Sequence, residues 1–266
     1  METLQIIILG IVQGITEFLP VSSSAHLVLV PTFTQWADQG LAFDIAVHIG
    51  TLAAVMLYFR KETYRLLKGT LDAVLRKGTE DAWLFWMLVF ATLPLIAVAP
   101  FAKDLIETIA RNIQVIGITS IVFGILLWFA DKQPHPAHTE IQKEMTYKKA
   151  FIIGLFQVFA LIPGTSRSGI TMTAGRFLGF NRIESSKFSM LMAMPVIAMI
   201  GMFSLISDFN GMDWQNNSSE LLGGILCSFI AALLAIHGLM KLIEKISFTP
   251  FVIYRIGLGI FLLWVA

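Results

Sequence analysis

Apolar residues run through this chain in blocks long enough to cross a bilayer, and two further blocks are interrupted by polar residues near their middles. Six uninterrupted stretches, residues 41–59, 83–101, 113–130, 188–206, 220–240 and 248–265, meet the roughly 17–25 residues a transmembrane helix needs. Residues 4–30 are broken by Pro20 and by Ser22, Ser23 and Ser24, and residues 150–180 by the run from Pro163 to Gly169. Proline removes a backbone donor and clashes with the preceding turn, so both segments should break there. Irregular backbone survives at membrane depth only where protein or a wet cavity covers it. Each broken segment therefore predicts a re-entrant helical hairpin.

The two broken segments also resemble one another. Gly10-x-x-Gln13 matches Gly154-x-x-Gln157, and Pro20-Val-Ser-Ser-Ser-Ala25 matches Pro163-Gly-Thr-Ser-Arg-Ser-Gly169 with a small gap. Each hairpin is followed by three spans, and an odd number of crossings makes the second half start on the opposite side of the membrane. The expectation is an all-α polytopic membrane protein with six transmembrane helices plus two re-entrant helical hairpins in an inverted-topology repeat. It forms a single membrane domain over residues 1–266, with halves of approximately 1–130 and 150–266. Such repeats bring their broken helices together near the midplane.

Lysine and arginine set the orientation. They crowd residues 60–82 and 131–149, are sparse in 102–112 and absent from 207–219. The first two loops are expected in the cytoplasm, with both termini outside. The first hairpin then enters from outside and the second from inside.

Composition supports the membrane reading. Hydrophobic residues make up 56% and charged residues 14%, against roughly 45–50% and 25% in soluble domains, and the mean hydropathy is +0.75. The net charge of +1 and the lack of a basic block set nucleic-acid binding aside. The single cysteine, Cys227, excludes an intrachain disulfide and a cysteine metal cluster. No basic region precedes the first apolar stretch and no cleavage site of small residues follows it, so this stretch is expected to belong to the fold and not to a removable signal.

The candidate chemistry lies at the two breaks. Gln13 and Glu17 are four residues apart and share a helix face, in a setting where a carboxylate costs roughly 2.5–3.5 kcal/mol. Serine is a preferred N-cap, so a second short helix should start at Ser22, Ser23 or Ser24, with its free N–H groups suited to an anion and His26 one turn on. At the second break, Gly164 lets backbone approach a ligand, Thr165, Ser166 and Ser168 offer hydroxyls, and the planar fork of Arg167 matches phosphate oxygens or pairs with Glu17. Phosphoryl transfer asks chiefly for positioning and charge stabilisation. Arg167 with Ser166 and Ser168 would hold the phosphate. Glu17, helped by Gln13, would hold a divalent cation. Ser23 or His26 would be the nucleophile, the other its partner or a general base. Asp44 and His48, at i and i+4 of the first span, suit a bundle hydrogen bond or a role in the site. Tyr254-Arg255 could snorkel to an interface or line the pocket. His237 reads as a bundle histidine, and His135 and His138 as solvated.

The segments Gln13-x-x-x-Glu17, Pro20-Val-Ser-Ser-x-x-His26, Pro163-Gly-x-Ser-Arg-Ser-Gly-x-Thr171 and Ser247-Phe-x-Pro250-Phe-x-x-Tyr254-Arg255 resemble the signatures of the bacterial undecaprenyl-diphosphate phosphatase family of the bacitracin-resistance type. The resemblance implies hydrolysis of C55 polyprenyl diphosphate to the monophosphate carrier and phosphate, during recycling of the lipid carrier for peptidoglycan and other cell-wall polymers. It also implies dependence on Mg2+ or Ca2+, a homodimer, and a site in the bacterial inner membrane facing the periplasm. By position, Glu17, Ser23, His26 and Arg167 are the residues critical for activity. Gln13 stands where the family often has glutamate, and an amide is a weaker, uncharged ligand. A polyprenyl-phosphate transporter or flippase in the same inverted repeat is the second reading. A lysine-arginine phosphatase signature is excluded, because the expected downstream histidine is replaced by Met172 and Thr173.

Overall fold

A computed structural model describes residues 1–109, 112–134, 140–208 and 218–266, and every regular element among these residues is helical. In chain order the helices are α1 (Thr3–Phe18), α2 (Ser23–Thr34), α3 (Gly40–Tyr58), α4 (Arg60–Val74), α5 (Glu80–Ile109), α6 (Ile113–Lys132), α7 (Ile141–Glu144), α8 (Tyr147–Val158), α9 (Arg167–Phe177), α10 (Arg182–Asp208), α11 (Ser218–Ile243) and α12 (Thr249–Val265). A single 3-10 turn, Phe159–Leu161, follows α8. Five of these, α3, α5, α6, α10 and α11, contain stretches long and apolar enough to cross a bilayer. The sixth expected span forms α12, which has 17 residues. At 1.5 Å per residue that is about 25 Å, a little under the hydrocarbon thickness. His135, His138, Arg111 and residues 209–217 of the sixth loop lie outside the described residues.

Both predicted breaks occur, and their geometry follows from proline. The residue before proline is driven out of the helical region; Leu19 (φ −71°, ψ 145°) and Ile162 (φ −84°, ψ 122°) are extended, which ends α1 and the turn after α8. The next helix in each case is capped by a serine at positive φ, Ser22 at 76° and Ser166 at 70°. A serine there is strained by about 1–3 kcal/mol and persists only if its surroundings hold it. Each cap pairs with the serine two residues on, and only Ser166 also makes a side-chain cap bond. Ser22 Oγ lies 3.2 Å from Ser24 Oγ, and Ser166 Oγ lies 3.1 Å from Ser168 Oγ while accepting from Gly169 N. Gln13 and Gln157, both fully buried, stand nine positions before these caps.

Helix pairing follows the same correspondence. α1 packs along α11 as α8 packs along α5, while α3 meets α10 and α6 meets α12. Glycine sets the close approaches: a Cβ at Gly14 would lie 2.5 Å from Ser228 O of α11, and one at Gly154 2.5 Å from Ala91 O of α5. Small residues at such contacts are how helices approach without a hydrophobic drive between them. One cluster of buried side chains, including Phe18, Met87, Leu127, Met172, Phe188 and Phe248, draws on helices from α1 through α12.

The stretch 60–82, expected as a basic loop, contains α4. Its Tyr64, Leu67, Leu71 and Val74 recur at helical spacing and are exposed, while Gly69 and Asp72 are buried and Arg65 and Lys68 reach Asp81 of α5. The clustering of charge hid an amphipathic period. At the end of α6, Asp131 gathers three partners: its carboxylate takes Arg176 Nε at 3.2 Å, Arg182 Nε at 2.7 Å and the backbone N–H of Phe248 at 2.9 Å. The ends of α6, α9, α10 and α12 are thereby tied to one carboxylate.

Candidate active site

The two breaks meet through Glu17. Its Oε1 accepts from Arg167 Nη2 at 2.7 Å. Its Oε2 accepts from Ser23 Oγ at 2.8 Å and from Gln13 Nε2 at 2.9 Å. The carboxylate is thus buried at the end of α1, with a guanidinium from the start of α9 and a hydroxyl from the start of α2 both aimed at it. An unpaired buried charge would cost several kcal/mol, and three donors to the ionised form remove most of that cost. Arg167 is fixed further by Nη1 donating to Ser189 O at 3.0 Å and by the Phe18 ring, whose centroid is 6.0 Å from the guanidinium carbon.

His26 faces the opposite edge of the same helix start. Its Nδ1 lies 2.7 Å from Ser22 O, and because a carbonyl can only accept, that nitrogen carries the proton. Nε2 of the neutral ring is then the lone-pair nitrogen, and it accepts from the Tyr254 hydroxyl at 2.6 Å. The two rings stack with an interplanar angle of 8°. Ser23 donates to Glu17 while both ring nitrogens of His26 are engaged elsewhere, so the hydroxyl and the imidazole flank the helix start independently.

The expected phosphate-holding hydroxyls divide by exposure. Ser24 is exposed and Ser23 half-buried, whereas Ser22, Thr165, Ser166 and Ser168 are buried. Ser168 Oγ donates to Leu19 O at 2.8 Å, which joins the second break to the first. Gly164 and Thr165 present carbonyls to Arg255 Nη2 at 3.0 and 2.7 Å. Arg255, which sequence left between an interface and the pocket, is fully buried behind the second break and holds its backbone. Tyr254, its neighbour, serves the first break instead.

His48 belongs to the cluster. Its Nδ1 is held 2.7 Å from Asp44 O and its Nε2 is 3.7 Å from Glu17 Oε2. Asp44 itself accepts from Gln39 Nε2 at 2.9 Å. Sequence reasoning missed Ser189, whose carbonyl steers Arg167 and whose hydroxyl lies 2.7 Å from Thr171 Oγ1. Ser185, Ser186 and Ser189 recur at helical spacing in an otherwise apolar α10 and are all buried, a signal that was present in the sequence.

The residues also bear on a cation. Among the described residues no group of three or more histidine, cysteine, aspartate or glutamate side chains could enclose a metal. Gln13 Oε1, however, is buried with no partner, next to the one carboxylate. One carboxylate and one amide oxygen fit an ion that takes its remaining ligands from substrate phosphates and water, as Mg2+ commonly does.

A family model described as bacitracin resistance protein BacA matches residues 6–261. A protein from Pseudoalteromonas translucida (strain TAC 125) named undecaprenyl-diphosphatase 1 is 46% identical over 264 residues, covering 98% of this chain and 97% of that one.

Proposed function

The chain belongs to the bacitracin resistance protein BacA family, and from that premise we propose that it hydrolyses undecaprenyl diphosphate to undecaprenyl phosphate and inorganic phosphate, with Glu17, Ser23, His26 and Arg167 as the reacting group. The observation that carries this is the single buried carboxylate shared by a phosphate-matching guanidinium and a hydroxyl nucleophile. Nucleophile and base within hydrogen-bond reach are what covalent catalysis asks for.

Ser23 Oγ attacks the terminal phosphorus as its proton passes to Glu17 Oε2. The bond from that phosphorus to the bridging oxygen breaks, and undecaprenyl phosphate leaves. As Glu17 takes the proton it loses its charge, so Arg167 exchanges its carboxylate partner for the phosphoryl oxygens, where negative charge now lies. Water then attacks the phosphorus, giving a proton to His26 Nε2 once the Tyr254 hydroxyl gives way; the bond from phosphorus to Ser23 Oγ breaks, Ser23 recovers its own proton from Glu17, and His26 returns its proton to bulk water. Free phosphate departs past exposed Ser24, and the buried hydroxyls of Ser166 and Ser168 keep the second helix start, with Gly164 and Thr165, in register. A divalent cation held by Glu17 and Gln13 Oε1 would neutralise charge on the diphosphate.

The same proposal includes the finer architecture: six crossings and two re-entrant hairpins in two inverted halves, near 1–130 and 150–266. The matched serine caps and the corresponding pairings of α1 with α11 and α8 with α5 support it. The site faces the periplasm from the inner membrane, and the resemblance implies a homodimer that recycles the cell-wall lipid carrier and confers bacitracin resistance.

Phosphate release from undecaprenyl diphosphate by the purified protein in detergent tests the reading, and it separates hydrolysis from lipid transport, which needs two compartments. No release with added Mg2+ or Ca2+ overturns it. With a terminally 32P-labelled substrate, Ser23→Ala should trap no label and His26→Ala should accumulate it; label retained in Ser23→Ala moves the nucleophile to His26.

A further inference from the structure

A diphosphate seated on Glu17 and Arg167 must send its prenyl chain somewhere, and two apolar grooves lie near. The larger, about 690 Å3, runs between α1, α11 and α12 and is lined by Ile11, Ile15 and Leu19 on α1. Its walls carry no side chain that bonds to the polar cluster. The second, about 360 Å3, lies between α3 and α10, and its walls include Ile45, His48 and Leu52 on one side and Ile197, Ala198 and Gly201 on the other. Here the apolar walls run directly into the site: His48 lines the cleft, is 35% exposed there, and reaches to 3.7 Å from Glu17 Oε2. The rim residues Leu41, Ile49 and Ile200 are exposed, so the cleft opens sideways toward lipid.

We infer that the α3–α10 cleft is the binding subsite for the prenyl units next to the diphosphate, with His48 standing where the polar floor becomes the apolar passage. This inference rests on the proposed phosphatase reading and adds where the substrate's chain lies. At about 30 Å3 per water-sized group the cleft holds roughly a dozen such groups, which is two or three isoprene units. The rest of a C55 chain therefore lies among the bilayer lipids. Recognition should then depend on the first few units and not on total length. Water and phosphate use the other side, by Ser24 and His26, so the apolar and aqueous traffic are separated across the same carboxylate.

Gly201 gives a clean test. A Cβ there meets no atom within 4 Å and its φ is not positive, so a side chain grows into open cleft without strain. Gly201→Phe and Ala198→Phe should lower kcat/KM for farnesyl diphosphate by about 10–200-fold, the range for losing room for a methylene or more in an apolar pocket. For isopentenyl diphosphate, whose single unit fills only the entrance of the cleft beside His48, the loss should be much smaller. Equal losses on both substrates, or no loss on either, overturn the inference. A changed oligomeric state in the variants overturns it as well, because the cleft would then belong to a second copy. If either variant fails to fold, a diazirine-bearing farnesyl diphosphate on the native protein decides: label confined to α3 and α10 supports the cleft, and label on α1 or α11 refutes it. Absence of any hydrolysis by the native protein would instead remove the phosphatase reading itself.

Discussion

Removing Arg167 should do two separable things. Arg167→Ala leaves the Glu17 carboxylate buried with only Ser23 and Gln13 as donors and with His48 at 3.7 Å. Breaking a buried pair from one side costs about 3–5 kcal/mol, because the remaining charge is uncompensated. At roughly 2–4 °C per kcal/mol in a chain of this size, the midpoint of thermal unfolding should fall by about 6–20 °C. Replacing Glu17 by glutamine in the same protein removes the orphaned charge while keeping shape and hydrogen bonding, so Arg167→Ala/Glu17→Gln should regain most of that loss. Hydrolysis should stay abolished in both, since the phosphate has lost its guanidinium. Arg167→Lys keeps the charge but loses the fork that reaches Glu17 and Ser189 together; it should remain folded with turnover lower by about 10²–10³-fold, the usual effect of losing one oriented donor to developing charge. The assay is paired: unfolding followed by intrinsic fluorescence in detergent, and phosphate release at saturating substrate. If Glu17→Gln fails to restore stability to Arg167→Ala, the ion pair is not what holds the two breaks together. Near-normal turnover in Arg167→Ala would falsify the mechanism outright.

Further outcomes follow from the same geometry. Tyr254→Phe keeps the stacked ring but deletes the hydroxyl that occupies His26 Nε2; kcat should hold or rise, by no more than about tenfold for one hydrogen bond no longer to be displaced, and a large fall in kcat would mean that the hydroxyl itself takes part in the reaction. Gln13→Glu places a second carboxylate beside Glu17, so the Mg2+ or Ca2+ concentration giving half-maximal activity should drop; a rise would mean that Gln13 does not face the cation, and full activity in EDTA would remove the cation from the site. Asp131→Asn leaves Arg176 and Arg182 without their shared charge and should destabilise by about 3 kcal/mol while kcat per folded molecule stays the same. With Cys227 replaced by alanine, single cysteines in 60–82 and 207–219 should label from opposite sides of the membrane, and labelling from one side would refute the inverted halves.

How much was legible in the sequence divides along a physical line. Breaks at Pro20 and Pro163 are local consequences of a missing donor and a clash, and the sequence carries them whatever surrounds them. Glu17, Ser23, His26 and Arg167 stood out because charge and hydroxyls are costly in an apolar run. α4 was hidden because a basic segment and an amphipathic helix share the same letters until the exposed period of Tyr64, Leu67 and Leu71 is weighed. Ser189 and Arg255 were hidden for another reason. Both act through backbone carbonyls, Ser189 by offering its own to Arg167 and Arg255 by binding those of Gly164 and Thr165; the serine period of α10 is legible, but nothing in residue type announces which carbonyl meets a partner far along the chain. His48 fell between these cases: its helix face was legible, but its distance to Glu17 depends on how α3 lies against α1.

The placement of buried charge explains why the cluster is assembled from both breaks. Had Glu17 and an arginine shared one hairpin, the pair would have been satisfied locally and the second break would have had no electrostatic reason to approach. Here neither charge has an oppositely charged partner at its own break, and each break carries a serine cap at strained φ that its own sequence cannot relax. Docking the tips satisfies both charges, and the Ser168 bond to Leu19 O fixes the strained turns against one another. That arrangement leaves the guanidinium held by a carboxylate it can exchange for a phosphate. In the proposed reaction the contact that closes the fold is therefore the one that opens, and a substrate that brings two phosphates supplies the replacement charge before the pair is broken.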